Sequence, residues 1–532
     1  MKPIAWTLAL LLALISTAAI STAARAEKQG GVLRVYHRDS PASMSMHEEG
    51  TVGVVMPMMG VFNNLVLFDQ HVAQNSEASI RPELATAWRW NADHTALSFT
   101  LRDGVKWHDG KPFTAADVKC TMDLLIDAGK EKLRLNYRGS WWVNVSGTTV
   151  NGEREATIHL KRPQPALLSL LASGETPMYP CHVSPRDMRL APIGTGPFRF
   201  VEYKPNQGIK LARNPDYWKP GLPHLDGVEY TIIPNRSTAM LAFVAGKFDM
   251  TFPNEITVPL LADLRRQAPE VVCAVTPTSE TVALLINRTA PPFDNADMRR
   301  AIALTLDRRA FIEILTQGQG SLGGALLAPP EGVWGLPAER LAGLPGYGDD
   351  VGRNREEARA ILRRLGYGPD NRLSVKVSVR NLSVYRDPAT LFIDQLKEIG
   401  IDGELDTTET ATWVPKLIKK DYRIAVNVLG AAVDDPDPNF YQNYVCDSPR
   451  NYTGHCNRGL DAKIEAQSRE IDAGKRQRLV WEIDRTLQEE LARPIIYHAR
   501  AATCWQPWVK GLTVMVNSQY NGWRMEDVWL DQ

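Results

Sequence analysis

Between Pro82 and Leu125 the chain alternates apolar and polar positions and then changes to a helical period. Trp88, Trp90, Leu97, Phe99 and Leu101 alternate with Arg89, Ser98, Thr100 and Arg102, the pattern of half-buried strands. Asn91-Ala92-Asp93 and Asp103-Gly104 supply turns, and 105–107 predicts a further short strand. Thr114 is placed to cap a helix over 115–127 with Val118, Met122, Leu125 and Ile126 on one face. Similar patterning predicts a first strand over 32–36, a polar loop over 39–53 and a helix over 54–67. A hairpin follows, pairing 198–203 with 209–211, then a strand over 228–233 and a helix over 236–246. From 282 onward a short strand over 282–286 leads into helices capped by Asp294 and starting again at Arg308. Helix 354–365, strand 375–379, helix 389–399 and strand 401–405 then alternate as β–α–β, which calls for a second α/β lobe.

Three blocks of this chain resemble family-5 solute-binding proteins, which serve ABC importers. Ala85 to Trp88, Arg102 to Gly110 and Phe113 to Val118 follow the family's first motif in order. Gly194 to Trp218 resembles its Gly-Thr-Gly-Pro-Phe block, and Asn287 to Leu315 its second-lobe block. The resemblance implies an α/β, two-lobed periplasmic-binding-protein fold of type II with mixed sheets, an extra subdomain and a hinge. It also implies lobe I over 27–280 with an accessory subdomain near 70–192, lobe II over 281–500, and a return to lobe I over 501–532. The implied role is capture of a small solute or peptide for an ABC permease, by a monomer acting without cofactor or metal. Opines, metal chelates and oligosaccharides are alternative solutes on the same fold.

At 532 residues the chain is too long for one hydrophobic core. Lys2, the apolar run 4–20 and Ala24-Arg25-Ala26 predict a signal peptide over 1–26 and hence a periplasmic protein. With 61 basic and 61 acidic residues, the balance argues against a nucleic-acid partner. Cys446 and Cys456 flank a loop of turn-forming residues, which favours a disulfide over a metal pair with His455. Cys120 and Cys273 read as small buried hydrophobes, whereas Cys181 and Cys504 have no assignment.

Gly318 to Gly323 satisfies G-x-G-x-x-G but follows a helix and leads into Pro329-Pro330, so it reads as a loop. No nucleophile-elbow or HExxH motif supports the rival reading of a secreted hydrolase. Asp434, Asp435 and Asp437 cluster at the end of an apolar strand, where they suit either turn chemistry or a cationic group. The resemblance places this Asp-Pro loop at the ligand cleft. It also shows a departure, because the acid with which peptide binders grip an amino terminus is Ala432 here. Glu49 and Thr51 in the early loop, Arg380 and Asn381 at a strand end, and Trp413 are the other positions the resemblance puts at the cleft. Arg380 is expected to take a carboxylate through its planar fork.

Overall fold

The computed structural model describes residues 27–532; the leader expected over 1–26 lies outside them. Among the described residues no helix is long and apolar enough to cross a membrane. The first strand, Val32–His37, lies parallel to Gly227–Ile232, and the hairpin Phe198–Lys204 with Gly208–Arg213 completes a four-stranded mixed sheet. The alternating segment forms antiparallel strands Ala85–Trp90 and Ala96–Leu101, joined by Glu155–Leu160 and Val145–Gly152 in a separate four-stranded sheet. Leu97, Phe99 and Leu101 point inward, as the period requires. Thr114 and Asp117 form a capping box that starts the helix Ala115–Leu125.

A six-stranded mixed sheet holds the second α/β layer, with Leu373–Arg380 and Ile401–Thr408 parallel neighbours. Its central strand, Val272–Ile286, is 15 residues long. The short strand expected over 282–286 is only its far end, because Pro277 and the polar residues beside it hide the period. This strand and its antiparallel neighbour Ile495–Trp505 serve two cores. Ala502 and Cys504 sit in the core built mainly from residues 33–264, whereas Val282, Leu284, Ile286, Ile496 and Tyr497 sit in the core of the other lobe. Their pairing is interrupted by a bulge between Pro277 and Thr281. The two strands therefore form the hinge.

Local corrections have local causes. The apolar run 54–67 is helical only over Val52–Met58 and turns into the strand Val66–Phe68. Residues 105–107 form an isolated bridge, Lys106 to Pro112, rather than a strand. The helix Ala296–Leu304 is capped by Asn295, one residue after Asp294. Gly318 to Gly323 is a loop, as its context predicts.

Three disulfides use the six cysteines. Cys446–Cys456 closes a short loop. Cys120–Cys181 and Cys273–Cys504 correct the reading of Cys120 and Cys273 as unpaired buried hydrophobes, because their partners stand 61 and 231 residues away and no sequence spacing links them. Cys273 and Cys504 face each other across the hinge strands.

Candidate functional site

Where the lobes meet, both contribute to a narrow cavity of about 50 Å³, room for a few waters at ~10–15 Å³ each. The early loop brings Arg38, Gly50 and Thr51, and the accessory region brings Tyr137 and Glu175. The hinge strand brings Glu280. The second lobe brings Arg380, Trp413, Ala432, Gln442, Arg450 and Tyr452. Gly50 is required there, since a Cβ at that position would stand 1.7 Å from the Tyr137 ring.

Most charges on this wall are already matched. Arg380 pairs with Asp39, donates to Thr410 Oγ1 at 2.8 Å and lies 5.7 Å from the centre of the Tyr385 ring. Burial pushes the Asp39 carboxyl up, but Arg380, His37 and Arg38 outweigh it and hold it below the usual carboxylate range. Glu175 pairs with Arg138, and Arg38 approaches Glu255 at 3.6 Å. Two groups remain. Glu280 is buried, and among the described residues neither it nor Arg450 has an ion-pair partner. Burial pushes the Glu280 carboxyl up, against the pull of Arg38, a hydrogen bond from Gln519 and the pull of Arg380. Arg450 stacks 4.1 Å from the Tyr137 ring centre, and its Nε has no hydrogen-bond partner. Burial works against charge on this guanidinium, but Tyr137, Tyr452 and Glu175 outweigh it. The cavity thus offers one carboxylate and one guanidinium that have no ion-pair partner among the described residues.

The sequence-derived candidates divide. Thr51 and Trp413 line the cavity; Trp413 also donates through Nε1 to Asn427 Oδ1 at 3.2 Å and belongs to a buried cluster with Leu417 and Tyr452. Arg380 lines it with its fork held by Asp39 instead of open to a ligand. Glu49 lies outside the lining, accepting from Ser43 Oγ at 2.7 Å and Arg134 Nη2 at 3.1 Å. Asn381 is likewise outside, donating to Glu409 at 2.9 Å and accepting from Arg386 at 3.0 Å.

The Asp-Pro loop departs most from expectation. Asp434 accepts from the Val333 N–H at 3.0 Å. Asp435 accepts both arms of Arg476 at 2.8 Å and caps the helix Pro436–Asn443. Neither lines the cavity, so Arg380 and these aspartates are not brought together there. Clustered aspartates before prolines signal helix starts as strongly as they signal sites, and here they build the helix. Glu280 escaped notice because it sits before the stretch whose period marks a strand, and Arg450 because it lies in a loop. Among the described residues no group of three His, Cys, Asp or Glu side chains could hold a metal.

Residues 79–451 match the model of the bacterial extracellular solute-binding proteins, family 5 middle domain. The periplasmic oligopeptide-binding protein OppA of Salmonella typhimurium is 23% identical over 467 residues, covering 84% of each chain. A di/tripeptide-binding protein of Pseudomonas aeruginosa is 26% identical over 462 residues, 80% of this chain and 83% of that one. Among solved structures, the periplasmic binding protein DppA of Helicobacter pylori in complex with the peptide STSA gives a TM-score of 0.82 at 20% identity, covering 95% of this chain and 99% of that chain. The binding protein AgaA of A. tumefaciens in complex with agropinic acid gives 0.81 at 23% identity, over 94% and 99%.

Proposed function

The chain belongs to family 5 of the bacterial extracellular solute-binding proteins, and from that premise we propose that it captures a small zwitterionic solute, a peptide or peptide-like compound, between its lobes. The observation that carries this reading is the unmatched pair in one closed cavity, Glu280 and Arg450. A ligand ammonium group suits the carboxylate, and a ligand carboxylate suits the planar fork of the guanidinium. Away from water both contacts strengthen. Glu280 also answers the missing acid at Ala432. It is the register partner of Gly430, two residues before Ala432, so it supplies negative charge to the same wall. The peptide-binding relatives support a peptide class of ligand. An opine is the second reading. It also joins carboxylate to amine, and the alanine at 432 suits a ligand without a terminal amino group.

The proposed setting is the periplasm, after loss of the leader. The partner is the permease of an ABC importer, and the protein works as a monomer. Its chemistry is binding and release, with no turnover of the ligand. Calorimetry with dialanine and a panel of dipeptides tests the reading. Glu280→Gln and Arg450→Ala are each expected to weaken binding by roughly 30-fold or more, the cost of stranding one partner of a buried charge pair (~2–5 kcal/mol). Unchanged affinity in both variants would sink the zwitterion reading.

A further inference from the structure

A second hollow, an open groove of about 620 Å³, lies between the accessory region and the second lobe. Its lining repeats a telling alternation. Asn136, Tyr441 and Pro449 face the groove, while the next residue of each segment, Tyr137, Gln442 and Arg450, faces the cavity. One layer of side chains therefore separates the two spaces. The layer is thinly fastened. Gln442 Nε2 donates to the Tyr137 carbonyl at 3.4 Å, and Arg450 rests on the Tyr137 ring without an acidic partner. Tyr137 packs against Gly50, whereas Arg450 is held in the layer by its stacking on that ring, with its Nε unbonded and no ion-pair partner among the described residues.

Beyond the layer the groove has an apolar floor that includes Leu125, Trp142 and Val145. Lys161 stands in its lining and donates to the Val143 carbonyl at 2.7 Å; among the described residues it has no acidic partner. Asp447, in the same lining, is held by Arg458 at 2.8 Å. The groove therefore joins apolar surface to an unmatched cation, which suits a chain ending in a carboxylate.

We propose that this groove is a second ligand compartment: when a solute is longer than the cavity, Arg450 swings aside, the distal part of the solute threads past Tyr137, and Lys161 takes its terminal carboxylate. This rests on the reading of the cavity as a zwitterion site. Short solutes end on Arg450, and long ones end on Lys161, so one site serves several lengths.

The test is a ladder of oligo-alanines, from two to five residues, titrated into the full-length mature protein and two variants. Val143 is 49% exposed on the groove rim, so Val143→Trp obstructs the groove without disturbing the core. It is expected to weaken penta-alanine by about tenfold and to leave dialanine within about twofold. Lys161→Gln is expected to weaken penta-alanine by at least about threefold and to spare dialanine. Loss of affinity that is equal for all lengths, or absent for all, overturns the inference. Binding of dialanine with no binding of penta-alanine to the wild type also overturns it and leaves the cavity reading standing. If no member of the ladder binds, the inference falls together with the peptide reading of the cavity.

Discussion

Two buried aspartate–arginine pairs in this protein have the same chemistry and different work. Asp435 and Asp437 share Arg476 within the second lobe, and every arm of that group is met: Gln467 at 2.6 Å, Ser468 at 2.7 Å and Gln164 at 3.2 Å add to the ion pairs. Asp39 and Arg380 instead join a loop of the first lobe to a strand end of the second. The first group is satisfied whichever way the lobes stand, apart from the single bond from Gln164. The second spans the two lobes, so a movement that separates them would break it. Buried ion pairing therefore reports fold stability in one place and conformational state in the other.

Breaking the first group should have the largest effect. Arg476→Ala strands two buried carboxylates, and a loss of roughly 3–5 kcal/mol in unfolding free energy is expected from urea titration. A loss under about 1 kcal/mol would mean that water reaches the aspartates. Breaking the second pair should move affinity more than stability. Arg380→Ala is expected to weaken dialanine binding by about tenfold and to raise the apo radius of gyration in X-ray scattering, with little change in melting temperature. Unaltered scattering and affinity would show that the pair does not hold the closed form.

The smallest effect distinguishes a third aspartate from both. Burial pushes the Asp434 carboxyl up to about 7, with the neighbouring Asp435 adding to it against the Val333 and Asn517 hydrogen bonds. An unfolded aspartate titrates near ~3.9. Between about pH 4 and 7 the native state therefore holds a proton that the unfolded state has lost, and this group's contribution to stability falls as pH rises through that window. Asp434→Asn should flatten the fall and raise the melting temperature at pH 8 by about 1–2 °C, leaving pH 4 unchanged. An identical pH profile in the variant would refute the assignment.

Legibility in the sequence followed the range of the interaction. The meander over 85–101, the capping box at Thr114 and the β–α–β run of the second lobe depend on neighbours a few residues apart, and they read directly. The position of Ala432 on the cavity wall came through the family resemblance. The strand end that carries Arg380 is legible, but its pairing with Asp39 is not, because Asp39 is 341 residues away. The Asp-Pro loop misled for a different reason. Its aspartates look alike in sequence, and only the tertiary position of Arg476 makes Asp435 a structural anion. Glu280 needed the bulge in the hinge strand to be known before its side chain could be aimed.

The Cys273–Cys504 bridge has a topological consequence. It ties the chain close to where it leaves the first lobe and where it returns, so everything between those residues becomes a covalent ring of 231-residue separation. A single protease nick anywhere in that ring leaves one molecule under non-reducing conditions and two fragments only after reduction. A thermally opened second lobe likewise keeps its two ends together. Closing so long a loop from a linear chain would cost of order 5 kcal/mol in chain entropy, and the oxidised protein meets that cost once, at its first folding. Refolding after each later excursion begins with the ends of the inserted lobe already in place.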